Sequence, residues 1–151
     1  MPAELSPVER SFLADSRTAV LATVPAAGPP RLVPICFVLL DGDPPSIYTP
    51  LDEKPKAVAD PHDLERVRDI VANPTVALLV DQWSEDWSWL GWLRLEGTAS
   101  LVEPGTEHAH AAAVDALRAK YPQYATHRLE SRPIIRIVVE RARSWGNLGG
   151  G

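Results

Sequence analysis

The 151-residue chain carries a formal net charge of -5 and a single cysteine, so we expect no nucleic-acid partner, no disulfide and no four-thiolate metal site. Its N-terminal residues lack the apolar core of a signal peptide, and no segment reaches the roughly 18 apolar residues that a membrane span requires. We therefore expect a cytoplasmic protein that has no membrane partner.

The first half of the chain predicts one helix and three strands. Ser6, Pro7 and Glu9 have the spacing of a capping box with proline at the first helical position. β-Branched residues over 18–24 predict a strand. The run 31–40 is apolar on both faces and predicts a second, deeply placed strand, but Pro34 cannot donate to a ladder and indicates a bulge or a free edge. A short third strand follows over 46–49.

The second half predicts two helices and three further strands. Helical spacing of apolar residues marks 63–72, and an alanine-rich helix covers 106–120. Strands are predicted over 75–80, 92–99 and 133–140. A parallel doubly wound sheet would need a crossover helix after nearly every strand. We therefore predict one domain over 1–146, a six-stranded antiparallel β-barrel with peripheral helices, followed by a flexible glycine-rich tail over 147–151.

A lysine-containing segment follows the third predicted strand. Lys54 and Lys56 flank Pro55, which stiffens the loop, and Thr49 adds a hydroxyl at the strand end. Two ammonium groups and a hydroxyl suit a phosphate. The alternative is a solvated charged turn, because Asp52 and the glutamate after it balance the two lysines.

Four of the five tryptophans fall within residues 83–92. They are either core or dimer-interface anchors, or one or two of them wall a site for a planar ring. Arg94 lies two residues beyond Trp92, and alternation puts both on the same strand face. The two interpretations are compatible.

Other reactive side chains form no recognisable motif. The four histidines are expected to be exposed, and His108 and His110 point in different directions on their helix, so no metal site is predicted. Cys36 is expected to be a small buried hydrophobe. Glycine-rich dinucleotide and Walker-type loops are absent from the sequence. Because no acid–base pair is visible, no catalytic residue is assigned.

Taken together, these features resemble the pyridoxamine-phosphate-oxidase-like (PPOX class) split β-barrel family, and within it the F420-dependent, or deazaflavin-dependent, branch. The resemblance covers nearly the whole chain, and its most specific motifs are Asp-Glu-Lys-Pro-Lys at 52–56 and Glu-Asp-Trp at 85–87. Less specific matches are Phe12-Leu13-Ala14, 17–23, Val33-Pro34 with Phe37, 49–51, Asn73-Pro74, 92–94 and 120–124.

The resemblance implies an FMN-binding-like fold that dimerises across its open side and builds two cofactor sites from both subunits. The anion-binding set would be Thr49, Lys54 and Lys56, and the partner subunit would contribute its own copies of Trp92 and Arg94. Arg66 or Arg68 would reach the cofactor tail, although residues two apart on a helix do not easily face one ligand. The ring would stack on the backbone of Val33, Pro34, Ile35, Cys36 and Phe37.

The implied function is an F420-dependent oxidoreductase that transfers a hydride between the cofactor and a small organic substrate. The alternatives are an FMN-binding oxidase or reductase of the pyridoxamine-phosphate-oxidase type, and a non-catalytic flavin- or haem-binding protein. The paired lysines favour the deazaflavin, because its tail carries a phosphodiester and several carboxylates whereas FMN has one terminal phosphate. Since the hydride chemistry belongs to the cofactor, no acid or base on the protein is required.

Overall fold

The computed structural model describes residues 3–42, 44–51 and 60–149. Within them, the strands form one curled antiparallel sheet, a half-barrel, in the order β2-β1-β5-β6-β7-β4-β3. The strands are β1 (Ala19–Thr23), β2 (Arg31–Ile35), β3 (Val38–Leu40), β4 (Ser46–Pro50), β5 (Thr75–Gln82), β6 (Gly91–Val102) and β7 (Ile134–Gly146).

Helices cover parts of this sheet. α1 (Pro7–Asp15) begins with the predicted capping box: the Glu9 amide donates to Ser6 Oγ over 3.1 Å, and the Ser6 amide donates to Glu9 Oε1 over 2.8 Å. The other helices are α2 (Glu65–Ala72) and α3 (His108–Lys120), and short 3-10 segments lie at Pro61–Asp63, Trp87–Trp89, Pro122–Thr126 and Leu129–Ser131. Among the residues described, no helix combines the length and apolarity needed to cross a membrane.

The sheet has seven strands, so the prediction of six was wrong. The run 31–40 is interrupted at Cys36 and Phe37, which separate β2 from β3. The interruption has a physical cause outside the run: the Phe37 amide donates to the Tyr121 hydroxyl over 3.1 Å instead of to a neighbouring strand. The predicted free edge is confirmed, because Pro34 lies in β2, an edge strand that pairs with β1 alone.

The two edge strands, β2 and β3, are consecutive in the chain. Only Cys36 and Phe37 join them, so the Cα atoms of Ile35 and Val38 are at most roughly 11 Å apart. The edges therefore meet at this link and remain unpaired beyond it. We call the gap between β2 and the C-terminal end of β4 the split.

Two hydrophobic cores hold these elements. The first fills the half-barrel, where Leu21, Leu78, Leu93 and Leu95 are closed over by apolar residues of α1 and α2. The second lies between α3 and the outer surface of β3, β4 and β7. The outer surface of β2, β1, β5 and β6 is left uncovered in the described part of the chain. Past β7, Asn147 and Leu148 stay packed: the Asn147 amide donates to the Leu90 carbonyl over 2.8 Å, and Leu148 is buried.

Candidate functional site

The split places the end of β4 beside the link between β2 and β3. Val38 is the register partner of Tyr48, so Thr49 and Pro50 run past the start of β3 to the level of the link. Along β4 the side chains alternate, and Ile47 belongs to the barrel core whereas Tyr48 faces α3. Thr49 therefore faces inward and is 1% exposed.

A cavity of about 410 Å³ lies where β2 meets α2. Val33 and Arg66, both predicted site residues, line it together, and Arg31 and Arg68 line it as well. Acidic lining comes from Asp63 and a second carboxylate at the start of α2. The structure thus brings the predicted ring-stacking strand to the helix that carries the predicted tail-binding arginine. We call this the β2–α2 cavity.

Arg31 and Asp69 were missed by sequence reasoning. Asp69 is buried, and its Oδ2 lies 3.2 Å from Arg31 Nε. The same guanidinium also pairs with Glu65 at the start of α2. Asp69 therefore fixes the orientation of Arg31 at the mouth of the cavity. No local pattern predicts this contact, because the two residues lie in separate elements and carry no motif.

The predicted ring-stacking segment has two faces. Val33 is half-buried and packs against the barrel core, whereas Pro34 is exposed on the outer surface. Ile35 and Phe37 are buried in the core. Cys36 is partly buried beside the second core. The side chains of this segment therefore divide between the barrel interior and the exposed outer surface.

The lysine-containing segment is not part of the described geometry. Lys54 and Lys56 lie outside the described residues, as do the acidic residues that precede them. Leu51 is the last described residue before the loop, and it is buried. Asp60 is the first one after it. In the sequence, this segment therefore falls between the end of β4 and the start of α2.

Trp92 and Arg94 share one face of β6, as alternation predicted. The Arg94 guanidinium carbon lies 5.7 Å from the centroid of the Trp92 ring. Arg94 Nε also lies 3.3 Å from Glu96 Oε1, a partner that sequence reasoning missed. The Arg94 side chain is 44% exposed. It is therefore held at the surface between an aromatic ring and a carboxylate.

This face is the uncovered outer surface of the sheet. Besides Trp92 and Arg94 it exposes Leu32 (71%), Leu79 (41%) and Trp145 (54%). Trp92 pairs with Trp145 across β6 and β7. Leu93 and Leu95, which alternate with these residues, face the barrel core. Within one chain, therefore, the sheet separates Trp92 and Arg94 from the core side on which Val33 packs.

The histidines depart from prediction at two positions, because His110 is buried and His127 is half-buried. His110 is 4% exposed, and its Nε2 lies 2.7 Å from the Arg132 carbonyl, so the expectation that all four are exposed was wrong. His110 lies on the buried side of the alanine-rich α3, which packs closely against the sheet. His62 is exposed as expected, and its ring nitrogens lie 2.8 Å from Asp60 Oδ1 and 2.8 Å from Glu103 Oε1. The hydrogen bond to Glu103, followed by that to Asp60, raises the pKa of His62.

Comparison with known families gives one match that spans almost the whole chain. Residues 5–146 match the family model described as Pyridoxamine 5'-phosphate oxidase. Among curated proteins, none matches the sequence.

Solved structures show the same fold at low sequence identity. The conserved hypothetical protein Rv2991 from Mycobacterium tuberculosis is 24% identical, with a TM-score of 0.72 over 95% of this chain and 86% of that one. HutZ, the heme storage protein from Vibrio cholerae, is 15% identical, with a TM-score of 0.64 over 95% of each chain. HupZ from Group A Streptococcus is 16% identical, with a TM-score of 0.64 over 95% of this chain and 96% of that one.

Proposed function

The chain belongs to the pyridoxamine 5'-phosphate oxidase family, and on that premise we propose that it is an F420-dependent oxidoreductase acting on a small organic substrate. The cofactor would lie in the split, with its ring on β2 and its tail toward α2. The observation that carries this proposal is the β2–α2 cavity, where Val33 and three arginines line the same space.

The residues of the split fit a planar ring with a polar edge. Among the described strands, β2 pairs with β1 alone, so the other side of its backbone has no neighbouring strand to satisfy its polar groups. A heterocycle with donors and acceptors along its edge suits such a strand. Val33 supplies an apolar side chain beneath the ring, and the buried Phe37 closes the end of the strand.

The charges of the cavity fit a polyanionic tail. Arg31, Arg66 and Arg68 line the cavity together with two carboxylates. In the sequence, Lys54 and Lys56 come shortly before the α2 residues of this lining. Guanidinium groups bind carboxylates and phosphates through paired hydrogen bonds. A tail that carries both a phosphodiester and carboxylates uses more of these cations than a single phosphate does.

When bound, a deazaflavin supplies hydride transfer. The protein's own residues would orient the ring against β2, hold the tail by charge and exclude water with the buried side chains around the link. The partner subunit's Trp92 and the partner subunit's Arg94 would cover the ring from the uncovered face of the second copy. We therefore propose a homodimer, because Leu32, Leu79 and Trp145 are exposed together on the uncovered sheet face, and exposed apolar patches mark interaction sites.

FMN is the alternative cofactor of the same site. It would need only the phosphate-binding set, Thr49 with Lys54 and Lys56, and would leave Arg66 unused. A haem-binding role is the second alternative, and the likeness to HutZ, the heme storage protein, favours it. Against it, no histidine belongs to the described lining of the β2–α2 cavity, whereas haem iron takes its axial ligand from histidine, cysteine, methionine or tyrosine.

The test is a fluorescence and absorbance titration of the purified protein with F420, FMN and haemin. We expect F420 to bind most tightly. Lys54→Ala should weaken F420 binding by about 1.5 to 3 kcal/mol, tenfold or more, and Arg66→Ala should weaken F420 binding but leave FMN binding unchanged. Arg10→Ala, which removes a cation of α1 that does not line the β2–α2 cavity, is the control. Tightest binding of FMN or haemin, or unchanged F420 affinity in Lys54→Ala, would overturn the proposal.

The oligomeric state is tested separately by light scattering. We expect a mass of two chains at micromolar concentration. A mass near the 16.5 kDa of one chain would contradict the homodimer and would leave the partner's Trp92 and Arg94 without a role at the site.

A further inference from the structure

A second cavity lies on the other side of the link between β2 and β3. It occupies about 740 Å³ between α1, β3 and α3 and shares no lining residue with the β2–α2 cavity. We call it the α1–α3 cavity. Its size falls within the range of small-molecule sites, roughly 300 to 1,000 Å³.

Two cations are fixed next to each other at this cavity by uncharged partners. Arg17 Nη2 donates to the Lys120 carbonyl over 2.8 Å, and its guanidinium lies 4.6 Å from the centroid of the Tyr121 ring. Lys120 Nζ donates to the Leu13 carbonyl over 3.1 Å and lies 4.0 Å from the centroid of the Phe37 ring. In the described part of the chain, neither cation has a carboxylate within ion-pair distance.

The surroundings of Lys120 disfavour the charged form of its side chain. Burial, followed by the charge of Arg17, lowers its pKa from 10.5 to about 8, and Cys36 and Asp15 offset only part of this. Charged groups farther along the cavity are Arg10 and Asp41, which pair with each other. An anion placed between Arg17 and Lys120 would therefore relieve a repulsion that the described groups of the protein offset only in part.

Apart from Ser11, the rest of the wall is apolar. Val38 and Leu39 of β3 and Ala116 and Ala119 of α3 all contribute to the lining. A bare inorganic anion would leave this surface in contact with water, whereas a ligand that has an apolar body would cover it. We propose that the α1–α3 cavity binds an organic carboxylate with an apolar body, whose carboxylate lies between Arg17 and Lys120 and whose body packs on Val38, Leu39, Ala116 and Ala119.

The experiment is isothermal titration calorimetry of the full chain with octanoate, 1-octanol and inorganic phosphate. We expect octanoate to bind at least about tenfold more tightly than either of the others, since only octanoate satisfies both the cations and the apolar wall. If phosphate binds as tightly as octanoate, the apolar wall does not contribute to binding and the proposal is overturned. If 1-octanol binds as tightly as octanoate, the two cations do not contribute and the proposal is likewise overturned.

Variants locate the site. Lys120→Met removes the charge and keeps an apolar stem, and Ala119→Trp fills the cavity; each should weaken octanoate binding at least about tenfold. Their matched controls are Arg141→Met, which removes an exposed cation of β7 outside both cavities, and Ala112→Trp, which adds the same bulk to an exposed position of α3 outside the cavity lining. Octanoate binding that survives Ala119→Trp, or that is lost equally in the controls, would overturn the proposal.

A measurement on the unmodified protein keeps the test valid should Lys120→Met fail to fold. A bound carboxylate must raise the pKa of Lys120, so binding takes up protons above pH 8 and takes up none well below it. Octanoate titrations in buffers of different ionisation enthalpy should show this uptake at pH 8.5 and not at pH 6.5. Absence of uptake at pH 8.5 would contradict the placement of the carboxylate at Lys120.

Discussion

Thr23 Oγ1 donates a hydrogen bond to Asp69 Oδ2 over 2.8 Å, and both side chains are buried. The bond joins β1 to α2, and Arg31 of β2 approaches the same carboxylate oxygen. Three elements that surround the β2–α2 cavity therefore converge on one buried acid. This arrangement fixes α2, and with it Arg66, against the edge of the half-barrel.

Asp69→Ala should lower the free energy of unfolding by about 2 to 4 kcal/mol, because it removes the buried acceptor of the Thr23 hydroxyl and a charge partner of Arg31. Urea denaturation measures this change. Asp115→Ala removes an exposed carboxylate from α3 and should change stability by less than about 0.5 kcal/mol. A loss below about 1 kcal/mol in Asp69→Ala would show that the network does not hold α2 in place.

Tyr121→Phe should destabilise the link between β2 and β3. The hydroxyl accepts from the Phe37 amide and lies 2.9 Å from the Arg17 carbonyl, and burial raises its pKa, so it remains protonated at neutral pH. Its removal leaves a buried amide without its acceptor, at a cost of about 1 to 3 kcal/mol.

Hydrogen exchange provides the specific readout for Tyr121→Phe. The Phe37 amide should exchange faster in the variant, whereas the paired amides of β6 should respond only through global stability. Thr126→Val, which deletes an exposed hydroxyl, is the matched control. Unchanged protection of the Phe37 amide would mean that the strand break does not depend on Tyr121.

The stability of the chain should depend on pH through His62. Hydrogen bonds to Glu103 and Asp60 raise its pKa in the folded state, so its contribution is fully present below pH 6.5 and is lost as the pH rises through the folded-state pKa. The side chain is 47% exposed, which limits the contribution to the scale of a surface ion pair, below about 1 kcal/mol.

The comparison of the parent chain with His62→Gln isolates this effect. Urea midpoints measured from pH 5.5 to 8.5 should show the parent more stable than the variant at the acidic end, and the difference should shrink toward the alkaline end. A difference that stays constant across this range would rule out titration of His62 as its cause.

Arg94→Ala separates a cofactor ligand from an interface anchor. If Arg94 reaches the partner subunit's cofactor, the variant should remain a dimer and lose about tenfold in F420 affinity, the scale of a charge-assisted hydrogen bond. Arg143→Ala removes the register partner of Arg94 on the same face and is the matched control. Should Arg94→Ala dissociate, repeating the titration at a protein concentration that restores the dimer distinguishes the two roles. Full F420 affinity in the dimeric variant would refute the assignment.

Local residue order was sufficient to predict most elements of this fold. The capping box at Ser6 and Glu9 involves residues three apart, and the shared face of Trp92 and Arg94 follows from the alternation of any strand. Pro34 indicated the free edge because proline has no backbone N–H to donate to a sheet ladder, which is a property of the residue itself. Predictions of this kind succeed because the determining interactions lie within a few residues.

The tertiary structure decided whatever depends on partners far apart in the chain. The strand run is interrupted at Phe37 because its amide donates to the hydroxyl of Tyr121, a residue 84 positions away in the chain. His110 is buried against the carbonyl of Arg132, which is 22 positions away. Asp69 meets Thr23 across 46 residues, and no periodicity encodes that contact. By itself, the sequence determined most of the strands and helices and the faces of their side chains, since these follow from backbone geometry. Which faces meet, and so where the β2–α2 and α1–α3 cavities form, follows from the curling of the sheet, which brings distant residues together.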